Sequence, residues 1–331
     1  SQYLGKKMPE KAKLSAGQLM FIMLTSSGTV MILVLFLHRF LLRTIFGQIE
    51  ADVMDAAQIY FLISAISYPF LGVYNAGAAL FRSIGNSKIS MYTSLVMNVI
   101  NIGGNAILIY GAGIGVMGAA LATLIARMVS ALVMVVLLSK KDNPLCIATP
   151  GCMRPQKDVI GKILKIGIPS GIENGMFQIG KLLVSSLTAT FGTAAIAANA
   201  VANSIAGFAN IPGIAIGLAM VTVIGRCIGA GEKEQAKWYS RKLLGLAYGG
   251  MCLTDITLLI LARPMVGCFS LPVRRLQLRY SFTDIFHLCY AYLAALPNVL
   301  RAAGDAKYTM KSACFPCGYS VLQAAISLQE R

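Results

Sequence analysis

Long apolar runs alternate with short polar, mostly basic stretches along the 331 residues. The first run covers Leu14 to Phe36, the second Val53 to Leu80, the third Ile89 to Tyr110 and the fourth Ile114 to Leu138. A polar linker from Lys140 to Lys162 follows. Beyond it lie Ile163 to Phe191, Ala195 to Ile224, Leu243 to Phe269 and a weaker run from Ser281 to Leu300. Crossing a bilayer core takes about 20 residues of helix, so the pattern predicts eight candidate spans. A helix satisfies its own backbone hydrogen bonds in hydrocarbon, whereas an open sheet cannot. The predicted fold class is therefore all-α, a polytopic helical membrane protein.

The polar stretches repeat. Arg82, Gly85 and Lys88 align with Arg301, Gly304 and Lys307 at an offset of 219 residues. Tyr3-Leu4-Gly5 followed by Glu10, Ala12 and Lys13 aligns with Cys227-Ile228-Gly229 followed by Glu234, Ala236 and Lys237 at an offset of 224. A repeat this long exceeds solenoid periods and predicts two related lobes, a construction common among membrane transporters. The expected division is a first lobe at 1–139, a linker at 140–162 and a second lobe at 163–331, atypical after about residue 270.

Composition agrees with a membrane setting: 56% of residues are hydrophobic and 13% charged, against about 45 to 50% and 25% in soluble domains. Eight scattered cysteines and two histidines suggest neither a disulfide framework nor a His-rich metal site. Nearly all of the formal net charge of +16 lies in the alternate loops 1–13, 82–88, 139–165, 225–242 and 301–311, which places those loops in the cytoplasm of a multi-pass protein of the cell membrane. Because the positive charge is divided among inter-span loops, it reads as a topology signal and not as a nucleic-acid footprint. The loop at 263–280, with Arg263, Arg274, Arg275 and Arg279, breaks the pattern. After Lys307 only a poor membrane helix remains, and the repeat predicts further spans before Ser1. The reading is a fragment of a twelve-span protein lacking two spans at each end.

The polar-hinge glycines with Glu-x-Ala-Lys or Glu-Gln-Ala-Lys, the Leu300-Arg-x-x-Gly-Asp-x-Lys307 signature with Arg301, Gly304 and Asp305, its variant Phe81 to Lys88, Gly115-Val-x-Gly-Ala-Ala-x-Ala-Thr123 and Gly167-Ile-Pro-Ser-Gly-Ile-Glu-Asn174 resemble the multidrug and toxic compound extrusion family. The resemblance covers about residues 1–270 and 296–310. It implies two six-helix bundles facing a central cavity and export of organic cations or drugs against inward Na⁺ or H⁺, with no cofactor beyond that ion and no obligate protein partner. Many members of the family carry an acidic residue about two turns after the proline, where this chain has Phe177 and Gln178.

Two motifs suggest enzymes. Gly113-Ile-Gly115-Val-Met-Gly118 fits the dinucleotide fingerprint, with Asp142 trailing it. The apolar stretch before it is too long for a strand, so the glycines read as a tight turn between spans, with Gly118, Ala119, Ala120 and Ala122 allowing close helix packing. Cys314-Phe-Pro-Cys317 has no second pair to make a zinc site. The chain is expected not to be an enzyme.

Polar residues inside spans are the remaining candidates for chemistry. Ser94, Asn98, Asn101 and Asn105 share one helical face, and Asn199, Asn203 and Asn210 form a similar stripe with Gly207 between them. Either stripe could glue helices together or line a cavity. Intramembrane charges are costlier, about 2.5 to 3.5 kcal/mol each even on lenient scales, and four stand out: Arg127, Glu173, Lys181 and Asp255. Glu173 with Asn174, Gln178 and Lys181 makes the preferred pathway site, on a helix whose early turn Pro169 should disturb. Arg127 reads as snorkelling or paired with a carboxylate; Asp255 reads either as a buried residue of the bundle interior or as one near the outer interface. The expected function is secondary active multidrug efflux by alternating access. The alternatives are a lipid-linked oligosaccharide flippase of the related superfamily and a non-transporting fragment.

Overall fold

The computed structural model describes residues 1–46, 51–140, 143–145, 154–189, 203–204, 207–208, 210–268 and 298. Among these it contains helices and turns but no strand. In chain order the helices are α1 (Gln2–Gly5), α2 (Pro9–Phe46), α3 (Ala51–Ile66), α4 (Tyr68–Ile84), α5 (Ser87–Asn105, continued by a π-helical turn, Ala106–Gly111), α6 (Gly115–Ser139), α7 (Lys157–Ala189), α8 (Ile211–Ala230) and α9 (Lys233–Cys268). Four of the described helices are long and apolar enough to cross a membrane; α3 and α4 together make a fifth, bent by 44°. The run from Val53 to Leu80, read above as one span, is therefore two helices meeting at Ser67. Pro69 in the first turn of α4 explains the break, since a proline has no N–H to donate to the carbonyl four residues back and its ring crowds that carbonyl.

The chain divides into two compact units, one of residues 7–161 and one of 1–6 with 162–331. In the first, α6 packs against α3, α4 and α5, and α2 packs against α3 and α4. Its interior is built from small residues, among them Ala76, Ala78, Ala120, Ala122 and Ala126, which let backbones approach where no hydrophobic drive operates between helices. Gly77 abuts Met134, and a methyl added there would meet that side chain at 3.0 Å. Gly118 packs on the backbone of Leu108 in the π turn. Gly113 and Gly115 hold φ of +67° and +57°, a left-handed backbone that glycine adopts without strain. The fingerprint-like glycines are thus a helix reversal, with no strand before them among the described residues.

In the second unit α8 lies along α9, with Met220, Ile224 and Ala236 buried together against Ile216, Cys227, Ile228, Leu243 and Leu244. The inward face of α9 carries Ala247, Met251 and Asp255, all buried and spaced one turn apart. Short α1 crosses α8 within this unit. α7 starts at Lys157, six residues before the predicted run, and continues through Pro169 as one helix.

Candidate functional site

The four residues of the polar face expected on α7 all lie within that helix. Glu173 is half-buried, while Asn174, Gln178 and Lys181 are exposed. Asn174 donates its side-chain amide to the Ser170 carbonyl at 2.8 Å, and the Lys181 ammonium stands 5.2 Å from the centre of the Phe177 ring. One helical turn separates Lys181 from Phe177, and two separate it from Glu173. The face thus offers a carboxylate, two amides and a ring-stacked ammonium along about 12 Å of helix. Such a set presents charged and hydrogen-bonding groups that a charged or hydrogen-bonding solute could meet.

The asparagine stripe on α5 divides. Asn101 donates to the Thr123 hydroxyl on α6 at 3.1 Å, Asn105 donates to the Asn101 side-chain oxygen at 3.2 Å, and Thr123 donates to the Ala119 carbonyl. These three make an interhelical network, the structural role left open above. Asn98 is exposed and lies outside it. Of the second stripe, Asn203 is exposed, Asn210 sits immediately before α8 and Asn199 lies outside the described residues.

Arg127 takes a different partner from the carboxylate or water interface expected for it. Its guanidinium donates to the hydroxyl of Ser67, which itself donates to the Ser64 carbonyl at 2.6 Å. Ser67 is fully buried and occupies the break between α3 and α4, so the one charged residue of α6 fastens the bend. Sequence reading missed Ser67, although Pro69 two residues on marked the place. It also missed Gln18. That fully buried amide donates to the Arg154 carbonyl at 2.6 Å and accepts from the Gln156 N–H at 3.0 Å, pinning the segment that leads into α7.

Of the family-type motif, Gly85 ends α4 with φ +93°, and the Asn86 N–H returns to the Phe81 carbonyl at 3.0 Å, beside half-buried Arg82 and exposed Lys88. Its second copy, Arg301, Gly304 and Asp305, lies outside the described residues, as do Cys314 and Cys317. The other repeat is fully on view. Lys7 and Gly231, equivalent at the 224-residue offset, both have left-handed backbones, φ +54° and +85°. Met8 and Glu232 accept from the N–H groups of Ala12 and Ala236, both at 3.1 Å. Glu10 pairs with Lys13 at 3.2 Å, as Glu234 does with Lys237 at 2.8 Å. Where α1 meets α8, a methyl on Gly5 would collide with the Arg226 carbonyl and one on Gly229 with the Gln2 carbonyl. Gln2 and Arg226 are themselves equivalent, so the crossing is reciprocal: each glycine faces the other copy's matching carbonyl. Among the described residues no group of three or more His, Cys, Asp or Glu could hold a metal ion.

The known proteins that this chain resembles are transporters. The uncharacterized transporter YisQ of Bacillus subtilis is 28% identical over 93% of this chain and 69% of its own length. The probable multidrug resistance protein YoeA of the same organism is 26% identical over 76% of this chain and 57% of its own. Probable multidrug resistance protein NorM of Thermotoga maritima is 24% identical over 80% of this chain and 58% of its own. The chain therefore spans less than two thirds of two of these three relatives. Its fold matches an outward-facing multidrug resistance MATE family transporter with a TM-score of 0.89 at 19% identity, over 98% of this chain and 72% of that one. The MatE family model matches residues 1–107 and 169–326. With its repeated hinge and its bundle of apolar helices, the chain belongs to the MatE family of multidrug and toxic compound extrusion transporters, multi-pass membrane proteins.

Proposed function

We propose that the chain carries the working region of a secondary active exporter of organic cations or drugs, driven by inward Na⁺ or H⁺ through alternating access. The observation that carries this reading is the family match over both ends of the chain. The polar face of α7 supports its location: if α7 lies in the membrane, Glu173, Asn174, Gln178 and Lys181 would cost free energy when turned to lipid, and three of the four are exposed. Glu173 is the proposed coupling group, taking up a proton or Na⁺ on one side of the membrane and releasing it on the other. Asn98, Asn203 and Asp255 are further pathway candidates. Asn101 and Asn105 serve the pathway only by shaping α5 against α6. No cofactor is needed beyond the coupling ion, and the proposed setting is the cell membrane, with loops 1–13, 82–88, 139–165, 225–242 and 301–311 in the cytoplasm.

Ethidium efflux from energised cells tests this. The measurement is made on the chain itself and on a longer relative whose matching region has been replaced by these residues. The expected result is efflux from at least the longer protein, with its ion-driven part lost in Glu173→Gln. Dye retention in both backgrounds would overturn the export reading. Unchanged ion-driven efflux by Glu173→Gln would remove Glu173 from the coupling role.

A further inference from the structure

The start of α9 carries an arrangement that neither the transport site nor the repeat accounts for. Trp238, the chain's one tryptophan, is 56% exposed and meets Tyr239, 38% exposed, edge to face with ring centres 5.0 Å apart. The Lys242 ammonium stands 5.6 Å from the centre of the Trp238 ring. Arg241 is exposed beside them. On a helix Trp238, Tyr239 and Lys242 lie above a second pattern, with Arg241 to one side of it: Tyr239, Lys242, Leu246, Leu253, Ile256 and Ile260 fall at alternating steps of three, four or seven residues and so share a face. The four aliphatic members of that face are all exposed. From Leu246 to Ile260 the face runs about 21 Å along the axis at 1.5 Å per residue, most of a hydrocarbon core about 30 Å thick. The opposite face, with Ala247, Met251 and Asp255, is buried.

In a bilayer an exposed aliphatic stripe of this length would meet lipid tails, and the residues above it would come at headgroup depth. What stands there is an indole, a phenol and two cations. Indole and phenol rings favour this layer because one part of each is apolar and the other hydrogen-bonds. A neutral anchor would need only the rings. Lys242 and Arg241 add two positive charges; the carboxylate in the neighbouring turn, Glu234, pairs first with Lys237 and acts on Arg241 only by its charge. We propose that Trp238, Tyr239, Arg241 and Lys242 form a binding surface for anionic phospholipid headgroups, with the phosphate seated between the two cations and against the indole edge. Charge complementarity selects the occupant: a zwitterionic headgroup presents its own cation to Arg241 and Lys242 and gains less from them.

The single tryptophan makes the test direct, because all indole fluorescence comes from this place. The chain is reconstituted into phosphatidylcholine nanodiscs in which an equal fraction of lipid is brominated phosphatidylcholine or brominated phosphatidylglycerol, and quenching is measured. The expected result is stronger quenching by the brominated phosphatidylglycerol, with the excess falling as salt is raised. Arg241→Gln with Lys242→Gln should remove the excess, about fivefold in relative affinity for each charge near a membrane surface, while quenching by brominated phosphatidylcholine persists and shows that the helix still meets the membrane. Equal quenching by both lipids in the unaltered chain would overturn the proposal, leaving an interfacial anchor without headgroup preference. No quenching by either would overturn it as well, because Trp238 would then be covered by protein. If the double variant cannot be reconstituted, salt dependence in the unaltered chain decides alone: an anionic excess that salt leaves unchanged refutes the charge-based surface.

Discussion

The turn from α1 into α2 and the turn from α8 into α9 share backbone, charges and crossing contact, yet one turn further along each helix the equivalent residues have opposite surroundings. Ala12 and Ala236 are each 7% exposed, at matched positions after matched left-handed residues. Beyond them, Leu14 corresponds to Trp238 and Gln18 to Lys242. Gln18 is buried under the segment at 154–156 that leads into α7, whereas Lys242 is exposed beside Trp238. What repeats is the geometry of the turn. What diverges is what each helix meets next: in one copy the chain's own linker, in the other the surface we assign to lipid.

The largest expected effect comes from breaking what the two copies share. At Gly5 and at Gly229 an added methyl meets backbone, which cannot rotate aside. Gly229→Val should therefore separate α1 from α8 and cost about 1 to 3 kcal/mol, the range for overpacking, read as a fall in the thermal midpoint of the detergent-solubilised chain. Gly5→Val should fall by a similar amount, since each glycine faces the other copy's equivalent carbonyl. A large inequality between them would show that the crossing is not reciprocal in energy. Gly245→Ala is the control: nothing lies within 4 Å of the added methyl, and alanine in an exposed helix interior is favoured over glycine by up to about 1 kcal/mol.

Next in size is the difference between the copies. Gln18→Ala removes the two hydrogen bonds that a fully buried side chain makes to the Arg154 carbonyl and the Gln156 N–H, a loss of about 0.5 to 1.5 kcal/mol for each bond. Lys242→Ala strands nothing and should leave the midpoint nearly unchanged. Equal losses from the two would mean that Lys242 is covered in the folded protein, which would also count against the lipid surface.

These two copies mark what sequence made legible. A left-handed turn after a helix and a carboxylate three residues before a lysine are local requirements, so their spacing survives as a visible offset even where most side chains have changed. Of the eight predicted spans, four are, among the described residues, helices long and apolar enough to cross a membrane and a fifth is the bent α3–α4 pair; these were legible because hydropathy is summed along the chain. The bend at Ser67 was not, although its cause, Pro69, stood in plain view: the apolar run continues across it without a change in composition. Partners were hidden when they came from far away. Gln18 reaches residues 136 and 138 positions on, and Arg127 a residue 60 positions back. On α5 the asparagine face could be drawn from spacing, but only the contact with Thr123 separates Asn101 and Asn105 from Asn98.

Arg127 gives a smaller effect, because two magnitudes oppose each other. Its bond to Ser67 is charge-assisted, about 1.5 to 3 kcal/mol. Keeping a guanidinium at the middle of a span costs about 2.5 to 3.5 kcal/mol. The two nearly cancel, so Arg127→Met should shift the thermal midpoint little in either direction, while the α3–α4 bend loses its fastener. Loss of efflux at unchanged stability in the longer chimaera would assign the bend to transport. A large fall in stability would mean that Arg127 holds more than Ser67.

The smallest expected effect tests the paired ion bridges of the two turns. The hydrogen bond from Lys237, and after it the charge of that lysine, holds the Glu234 carboxyl below its ordinary range. A carboxyl lowered in the folded state stabilises the fold at pH above its unfolded value, and that contribution is lost as pH falls through the lower folded value. Glu234 is 87% exposed at its side chain, where water and salt screen the pair. Glu234→Gln should therefore leave the thermal midpoint within error of the parent at neutral pH. In acid the two proteins should coincide, since the parent's carboxyl is then protonated as well. Titration of the Glu234 carboxyl carbon by NMR in the Lys237→Gln variant isolates the cause: removal of the donor should return the carboxyl towards the usual glutamate range. A carboxyl still held low without Lys237 would shift the credit to Arg241, which also lowers it, and would link the ion bridge of this turn to the cations we place against the membrane.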